Sequence, residues 1–371
     1  MFKKLLFIST TLLLSSCQTF FPKKLTLEEK AGSMIVAGFR GSTPHQAQQI
    51  ANAIRKYNLG GVILFDEDMR IGGIRNVKHS YQLTRLNSFL QNIRDEKLLI
   101  CIDQEGGKVN RLKSKLSKQL NHIARGDFRY SVSAMEAIES PEKFRKNYQN
   151  ISHNLKSTGI NLNLAPVVDV GVNPDNFIYK KERIYSSDPN EVADYAKKAI
   201  DIHHNYGILT AIKHFPGHGS SETDSHKGLT DVTLTWEEEE LIPFKKLKDK
   251  TDMVMTAHIF QRSIDNNYPA TLSKKFLTDI LRSEIGFSGV IISDDLGMHA
   301  ISENYELKES VTLAINAGVD LLLFANNTDW NPNIVENVVN VIVQQVRAGK
   351  ISEARLDESI ARINKLKEKI K

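Results

Sequence analysis

Residues 98–107 read Leu98-Leu99-Ile100-Cys101-Ile102-Asp103-Gln104-Glu105-Gly106-Gly107. Five apolar residues without alternation describe a strand covered on both faces, because a half-solvated strand would alternate. The run then breaks at once into polar side chains and a glycine pair. Similar apolar runs recur at Met34–Ala37, Gly61–Phe65, Asn161–Ala165, Leu209–Ile212, Met253–Thr256, Gly289–Ile292 and Asp320–Phe324, eight with 98–102 included. Stretches with helical spacing separate them: His45–Lys56, Tyr81–Arg94, Pro141–Ser157, Pro189–Asn205, Glu237–Leu247 and Lys274–Ser283. Two more, Ile334–Gln345 and Ser352–Lys369, close the chain. Doubly covered strands alternating with helices form a parallel sheet. Eight such units point to an α/β fold with a single (β/α)8 TIM-type barrel rather than an open doubly wound sheet. No glycine-rich phosphate loop follows the first strand, and Gly106-Gly107 lies in the wrong context for one, which counts against a dinucleotide fold.

Outside the barrel pattern, the N-terminus carries the most information. Lys3 and Lys4 precede an apolar stretch, Leu5 to Leu14. That stretch is too short for a membrane span, which needs about 20 residues, but it has the form of a secretory leader. It ends in Leu14-Ser15-Ser16-Cys17, which resembles the bacterial lipobox. The resemblance implies a signal peptide over 1–16, a lipid on Cys17, a tether over 17–25 and attachment to a membrane. The alternative is an ordinary leader in which Cys17 falls by chance. Gln18, where an Asp would signal retention at the inner membrane, favours the outer membrane facing the periplasm. From Thr26-Leu27-Glu28-Glu29, a capping box that opens the first helix, the remainder to residue 371 reads as one catalytic domain. With Cys17 lipidated, Cys101 has no partner and is expected as an inert core thiol.

The 49 basic and 44 acidic residues are interspersed, so the net charge of +5 describes a solvated surface. No basic stripe with interleaved aromatics suggests nucleic-acid binding. His203-His204 and the scattered histidines lack ligand spacing, so neither a metal nor another cofactor is expected. The chain is read as a monomer.

In such a barrel the loops after the strand C-termini build the active site. Polar clusters fall there repeatedly: Asp103 to Gly107 with Arg111 after the third strand, Pro166 to Asp169 after the fourth, and Lys213 to Gly219 with Asp224-Ser225-His226 after the fifth. His258 ends the sixth strand, and Ser293-Asp294-Asp295 ends the seventh. Packing alone does not explain five polar clusters at one end.

Three of these segments carry a family resemblance. Asp103-Gln104-Glu105-Gly106-Gly107-Lys108-Val109-Asn110-Arg111, then Lys213-His214-Phe215-Pro216-Gly217-His218-Gly219 with Asp224-Ser225-His226, then Gly289 to Met298 are similar, in this order, to family 3 glycoside hydrolases. The Asp-x-His is characteristic of the β-N-acetylglucosaminidase branch. The resemblance implies that Asp294 is the nucleophile of a retaining mechanism, although spacing alone leaves Asp295 equivalent. It implies that His226, held by Asp224, is the acid/base. It assigns Asp103, Arg111, Lys213 and His214 to the grip on sugar hydroxyls and the acetamido region. Arg183 joins them, although Lys181-Glu182-Arg183-Ile184-Tyr185 departs from the family's Gly-x-Arg-Ser-Phe. His218, His258 and Asp169 are expected as supports.

The expected activity is exo-hydrolysis of terminal β-linked N-acetylglucosamine from peptidoglycan fragments or chitooligosaccharides through a glycosyl-aspartate. Alternatives on the same site are a β-glucosidase or β-xylosidase, or a phosphorylase that uses phosphate in place of water. A non-catalytic sugar-binding lipoprotein is the rival from another class.

Overall fold

Thr26 starts the first helix, Leu27–Ser33, with the capping box its sequence announces: its hydroxyl accepts from the Glu29 amide and its amide donates to the Glu29 carboxylate. The computed structural model describes residues 24–113, 128–223 and 228–370. Ten strands lie among them: β1 (Ile35–Gly38), β2 (Gly61–Leu64), β3 (Leu99–Ile102), β4 (Leu162–Asn163), β5 (Leu209–Phe215), β6 (Thr230–Asp231), β7 (Met253–Thr256), β8 (Ile259–Phe260), β9 (Val290–Ile292) and β10 (Leu322–Phe324). All but β6 and β8 form one parallel sheet in the order β10-β1-β2-β3-β4-β5-β7-β9. A bridge between Ile292 and Leu321 then joins β9 to β10. The sheet closes on itself, which removes both edges. The chain is a (β/α)8 barrel.

The expected runs and the observed strands differ most at β4 and β5. β4 is shorter than its apolar run, and Pro166, which has no amide to donate, follows that run directly. β5 is longer, continuing through Lys213 and His214 to Phe215 with every residue buried. The register slips between Ile212 and Phe215, a bulge of the kind that re-aims side chains beside active sites. The ribbon of β6 and β8 was not legible, because two residues are too few to show a period. It places Thr230 beside Ile259, and Thr230 accepts a 3.1 Å hydrogen bond from Thr223 across residues 224–227.

Helices Pro141–Ser157 and Pro189–Asn205 match their expected bounds, each opened by a capping side chain, Ser140 or Asp188, with proline next. The stretch expected as a helix over Glu237–Leu247 instead begins as a tight turn, Glu238–Leu241, and only Ile242–Leu247 is α-helical. Beneath the barrel, helix Glu353–Lys367 lies against the N-terminal ends of the strands. Arg355 and Arg362 from this helix, with Arg282, surround the Asp320 carboxylate ahead of β10. Cys101 is fully buried, and burial pushes its thiol well above its ordinary pKa, so it is an inert core group as expected. No helix among the described residues is long and apolar enough to cross a membrane.

Candidate active site

β3 and β5 are not neighbours in the sheet, yet their C-terminal ends meet. Lys213 places Nζ 2.7 Å from Asp103 Oδ1 and 2.7 Å from Glu105 Oε1. Glu105 is gripped from its other side by Arg183, whose Nε and Nη2 donate at 2.7 and 2.9 Å. The result is an alternating row, Arg183–Glu105–Lys213–Asp103, in which each inner charge has opposite neighbours. Burial alone would lift the Glu105 pKa, but Arg183 and Lys213 hold it well below the usual carboxylate range. Burial likewise opposes the Lys213 charge, and Asp103 and Glu105 outweigh it, so the ammonium stays protonated. Asp103 is the most exposed member, at 19% of its side chain against 3% for Lys213. The row therefore delivers one hydrogen-bonding carboxylate, Asp103, to the mouth of the barrel.

The second cluster is built on Asp169, fully buried after β4. Its Oδ2 lies 2.7 Å from His214 Nδ1, while Oδ1 accepts from the His214 amide at 3.1 Å and the His218 amide at 2.9 Å. Burial works against the Asp169 charge, and His214 more than offsets it, leaving the pKa lowered. The Asp169 carboxylate thus fixes the orientation of the His214 ring through Nδ1. Burial lowers the His218 pKa to about 4, so His218 is neutral near pH 7. Its Nδ1 lies 2.7 Å from Ser221 Oγ, and Ser221 is also held by Asn176. His218 and Asp169 thus support the loop, as expected.

The third cluster is the seam between β9 and β10. Ser293 Oγ accepts from the Leu323 amide at 2.9 Å, and Asp295 Oδ1 accepts from Ala325 at 2.9 Å and Gly297 at 3.0 Å. Ser293 and Asp295, two residues apart, both stitch the seam. Asp294 between them turns its amide towards Thr256 Oγ1 at the end of β7, at 3.4 Å. Asp295 caps no helix: helix His299–Ser302, which follows, has Met298 at its N-cap. His258 supports the same turn, with Nε2 2.9 Å from the Asp295 carbonyl oxygen. Burial pushes Asp295 up to about 6, with the charges of Asp294 and Asp103 adding to the shift. The first and third clusters both follow strand C-termini, β3 and β9, and so lie at the same end of the barrel.

Arg111 stands at the rim. Gln104 Oε1 accepts from the amides of Arg111 and Leu112, both at 3.0 Å, which fixes the turn after β3. The Arg111 guanidinium lies over the Phe65 ring, 5.5 Å from its centroid, and 3.5 Å from Asp66 Oδ1. Asp224 and His226 lie outside the described residues, as does Cys17. Among the described residues no group of three or more His, Cys, Asp or Glu is arranged to hold a metal ion.

A family model described as the glycosyl hydrolase family 3 N terminal domain matches residues 26–366. The chain belongs to glycosyl hydrolase family 3. It is 31% identical over 347 residues to β-hexosaminidase A of Pseudoalteromonas piscicida, a match covering 87% of this chain and 55% of that protein. It is 33% identical over 296 residues to a β-hexosaminidase of Tolumonas auensis, covering 77% of this chain and 81% of the relative. A solved family 3 β-N-acetylglucosaminidase from Paenibacillus sp. superposes with a TM-score of 0.80 at 32% identity, covering 93% of this chain and 63% of that one. The chain thus spans little more than half of the first protein and under two thirds of the third.

Two residues of this family 3 site were not singled out from sequence. Glu105, the hub between Arg183 and Lys213, was quoted within a motif but given no role. Asp66, 7% exposed, faces Arg111 and lies 3.4 Å from Lys113 Nζ. The signal for Asp66 was present: the apolar run Gly61–Phe65 ends on it, as the run to Ile102 ends on Asp103.

Proposed function

We propose that the protein is a retaining exo-β-N-acetylglucosaminidase. What supports this reading most is that Asp294 follows β9 at the same barrel end where Asp103, with its Lys213–Glu105–Arg183 support, follows β3, while the Asp295 carboxyl is tied into the barrel seam. In the first step Asp294 attacks the anomeric carbon as the glycosidic C–O bond breaks, and His226, oriented by Asp224, passes its proton to the departing oxygen. In the second, His226 takes a proton from water, whose oxygen attacks the same carbon and releases Asp294. Asp103, Arg111, Arg183, Lys213 and His214 hold the sugar hydroxyls and the acetamido group, with Glu105 pairing Arg183 and Lys213. The relatives named β-hexosaminidases support the choice of a terminal N-acetylglucosamine. Lipidation at Cys17 would put the enzyme at the outer membrane, facing the periplasm, where peptidoglycan fragments supply the substrate. Chitooligosaccharides carry the same terminal sugar.

The test is a panel of 4-nitrophenyl glycosides with purified protein lacking residues 1–17, with and without inorganic phosphate. Hydrolysis of the N-acetylglucosaminide, and not of the glucoside or xyloside, at a rate indifferent to phosphate is the expected result. Preference for the glucoside, or a sugar phosphate as product, overturns it. A slow fluorinated substrate should label Asp294, as read by mass spectrometry of its peptide.

A further inference from the structure

Glu240 is a buried carboxyl that the reaction outlined above does not use. It lies on the tight turn Glu238–Leu241 and is 1% exposed, whereas Glu237, Glu238 and Glu239 beside it are exposed. Its burial therefore comes from where the turn docks, not from the composition of the run. The turn docks under Gly217-His218-Gly219-Ser220. Glu240 Oε2 accepts from the Gly219 amide at 3.1 Å. A Cβ on Gly217 would fall 2.6 Å from the Glu240 Cβ and 2.9 Å from Oε2, and Gly217 has a φ of +119°. Both the close approach and the backbone conformation demand glycine there.

The opposite side of the same four residues rests on Asp169 and Val170, in the segment that follows β4. Asp169 accepts from the His218 amide at 2.9 Å, and a Cβ on Gly219 would fall 1.7 Å from the Val170 carbonyl oxygen. The backbone of 217–220 is thus held between two buried carboxyls, Asp169 and Glu240. The chain then reaches Asp224 within four residues. The Ser220 side chain faces the same carboxyl, so Glu240 meets both Gly219 and Ser220 of this segment. Burial raises its pKa to about 7, with Asp169 adding to the rise and the Ser220 side chain and the Gly219 and Ser220 amides opposing it.

We infer that Glu240 is a positioning residue for proton transfer: by fixing the backbone of 217–220 it sets where the following Asp-x-His segment begins. The inference rests on the reading of His226 as the acid/base. Glu240 touches no substrate atom in this role, so its loss should act through the proton and not through the nucleophile. A poorly placed acid slows departure of a sugar alcohol far more than departure of a nitrophenolate, which hardly needs a proton.

The experiment compares kcat/KM for a disaccharide and for the 4-nitrophenyl glycoside, which both report the first chemical step, in the wild type, Glu240→Ala, Glu240→Gln and His226→Ala. Glu240→Ala should lose roughly 10²-fold on the disaccharide, the lower end of what general acid catalysis supplies, and much less on the aryl glycoside. Glu240→Gln keeps an oxygen for the Gly219 amide and should recover most of the loss. Should Glu240→Ala not fold, Glu240→Asp, which withdraws the carboxyl by one methylene, carries the same comparison. If His226→Ala slows both substrates equally, the acid/base reading has failed. If His226→Ala discriminates between them while the Glu240 variants slow both equally, or neither, the positioning role is wrong.

Discussion

Arg183 and Glu105, 78 residues apart in the chain, meet through two hydrogen bonds of 2.7 and 2.9 Å. Both side chains are less than a tenth exposed. The pair links Arg183 through Glu105 to Lys213, and through Lys213 to Asp103. Replacing Glu105 by Gln keeps the shape of the row but leaves two buried cations sharing one carboxylate. Breaking a buried pair in this way costs about 3–5 kcal/mol, to be read as a lower urea midpoint, together with a raised KM. Because the Glu105 pKa is depressed, its contribution is present above the ordinary carboxylate pKa and lost only as the pH falls below it. The stability gap between wild type and Glu105→Gln should therefore be flat from about pH 6 to about pH 8. A gap that changes within that window would show a network titrating in the working range.

Asp294 and Asp295 should separate cleanly. Asp294→Ala removes the covalent route and should lower turnover by roughly 10³-fold or more, with stability little changed. Asp295→Ala leaves the Ala325 and Gly297 amides without their acceptor, at about 1–3 kcal/mol, and its loss in turnover should be far smaller. Asp295→Asn keeps the oxygen that those amides use. Since burial raises the Asp295 pKa from 3.8 to about 6, the stability linked to its neutral form is fully present below 3.8 and lost as the pH rises through 6. Thermal unfolding across that window should be less pH-dependent in Asp295→Asn than in the wild type. An Asp295→Ala enzyme as inactive as Asp294→Ala would reverse the assignment.

Asp320 tests the division between the two faces of the barrel. Its carboxylate meets Arg282, Arg355, Arg362, the Ser359 hydroxyl and the Ile291 amide, all at the end remote from the catalytic loops. Asp320→Ala would strand three guanidinium groups and should cost about 3–5 kcal/mol. The division of such a barrel into a catalytic C-terminal face and a stabilising N-terminal face predicts an unchanged KM for whatever fraction remains folded. A KM that rises with the loss of stability would mean that the floor and the site are coupled.

Cys17 lies outside the described residues, so its prediction rests on Leu14-Ser15-Ser16-Cys17 alone. Cys17→Ala should move the protein from the membrane pellet to the soluble fraction of lysed cells. Metabolic labelling with a fatty-acid analogue should mark the parent and not the variant. Equal partitioning of the two proteins would remove the lipid anchor from the proposal.

The periodicities in this chain are local, and so is what they determine. Runs such as 98–102 reveal covered strands, Ser140-Pro141 and Asp188-Pro189 reveal helix starts, and Thr26 with Glu29 reveals a capping box, because each signal is complete within a few residues. The repeat of strand and helix was enough for the barrel, and the family pattern was enough to nominate Asp103, Lys213, His214 and Asp294. Local pattern misled where polar residues continue a strand. Lys213 and His214 read as following the strand that ends at Ile212 and are instead buried within β5, where Asp103 and Glu105 pair with Lys213 and Asp169 holds His214. Charge pairing was not readable in advance. Lys213 meets Asp103 across 110 positions, Arg183 meets Glu105 across 78, and Asp169 meets His214 across 45. Glu240 is buried while its three acidic neighbours are exposed, for the same reason. The sequence by itself determined the barrel, its strands and the residue types around the mouth, because hydrophobic period and capping act over one turn or one strand. Only the tertiary structure decided which charges neutralise one another and which carboxyl is tied into the seam, because that depends on which strand ends the closed sheet brings within hydrogen-bond reach.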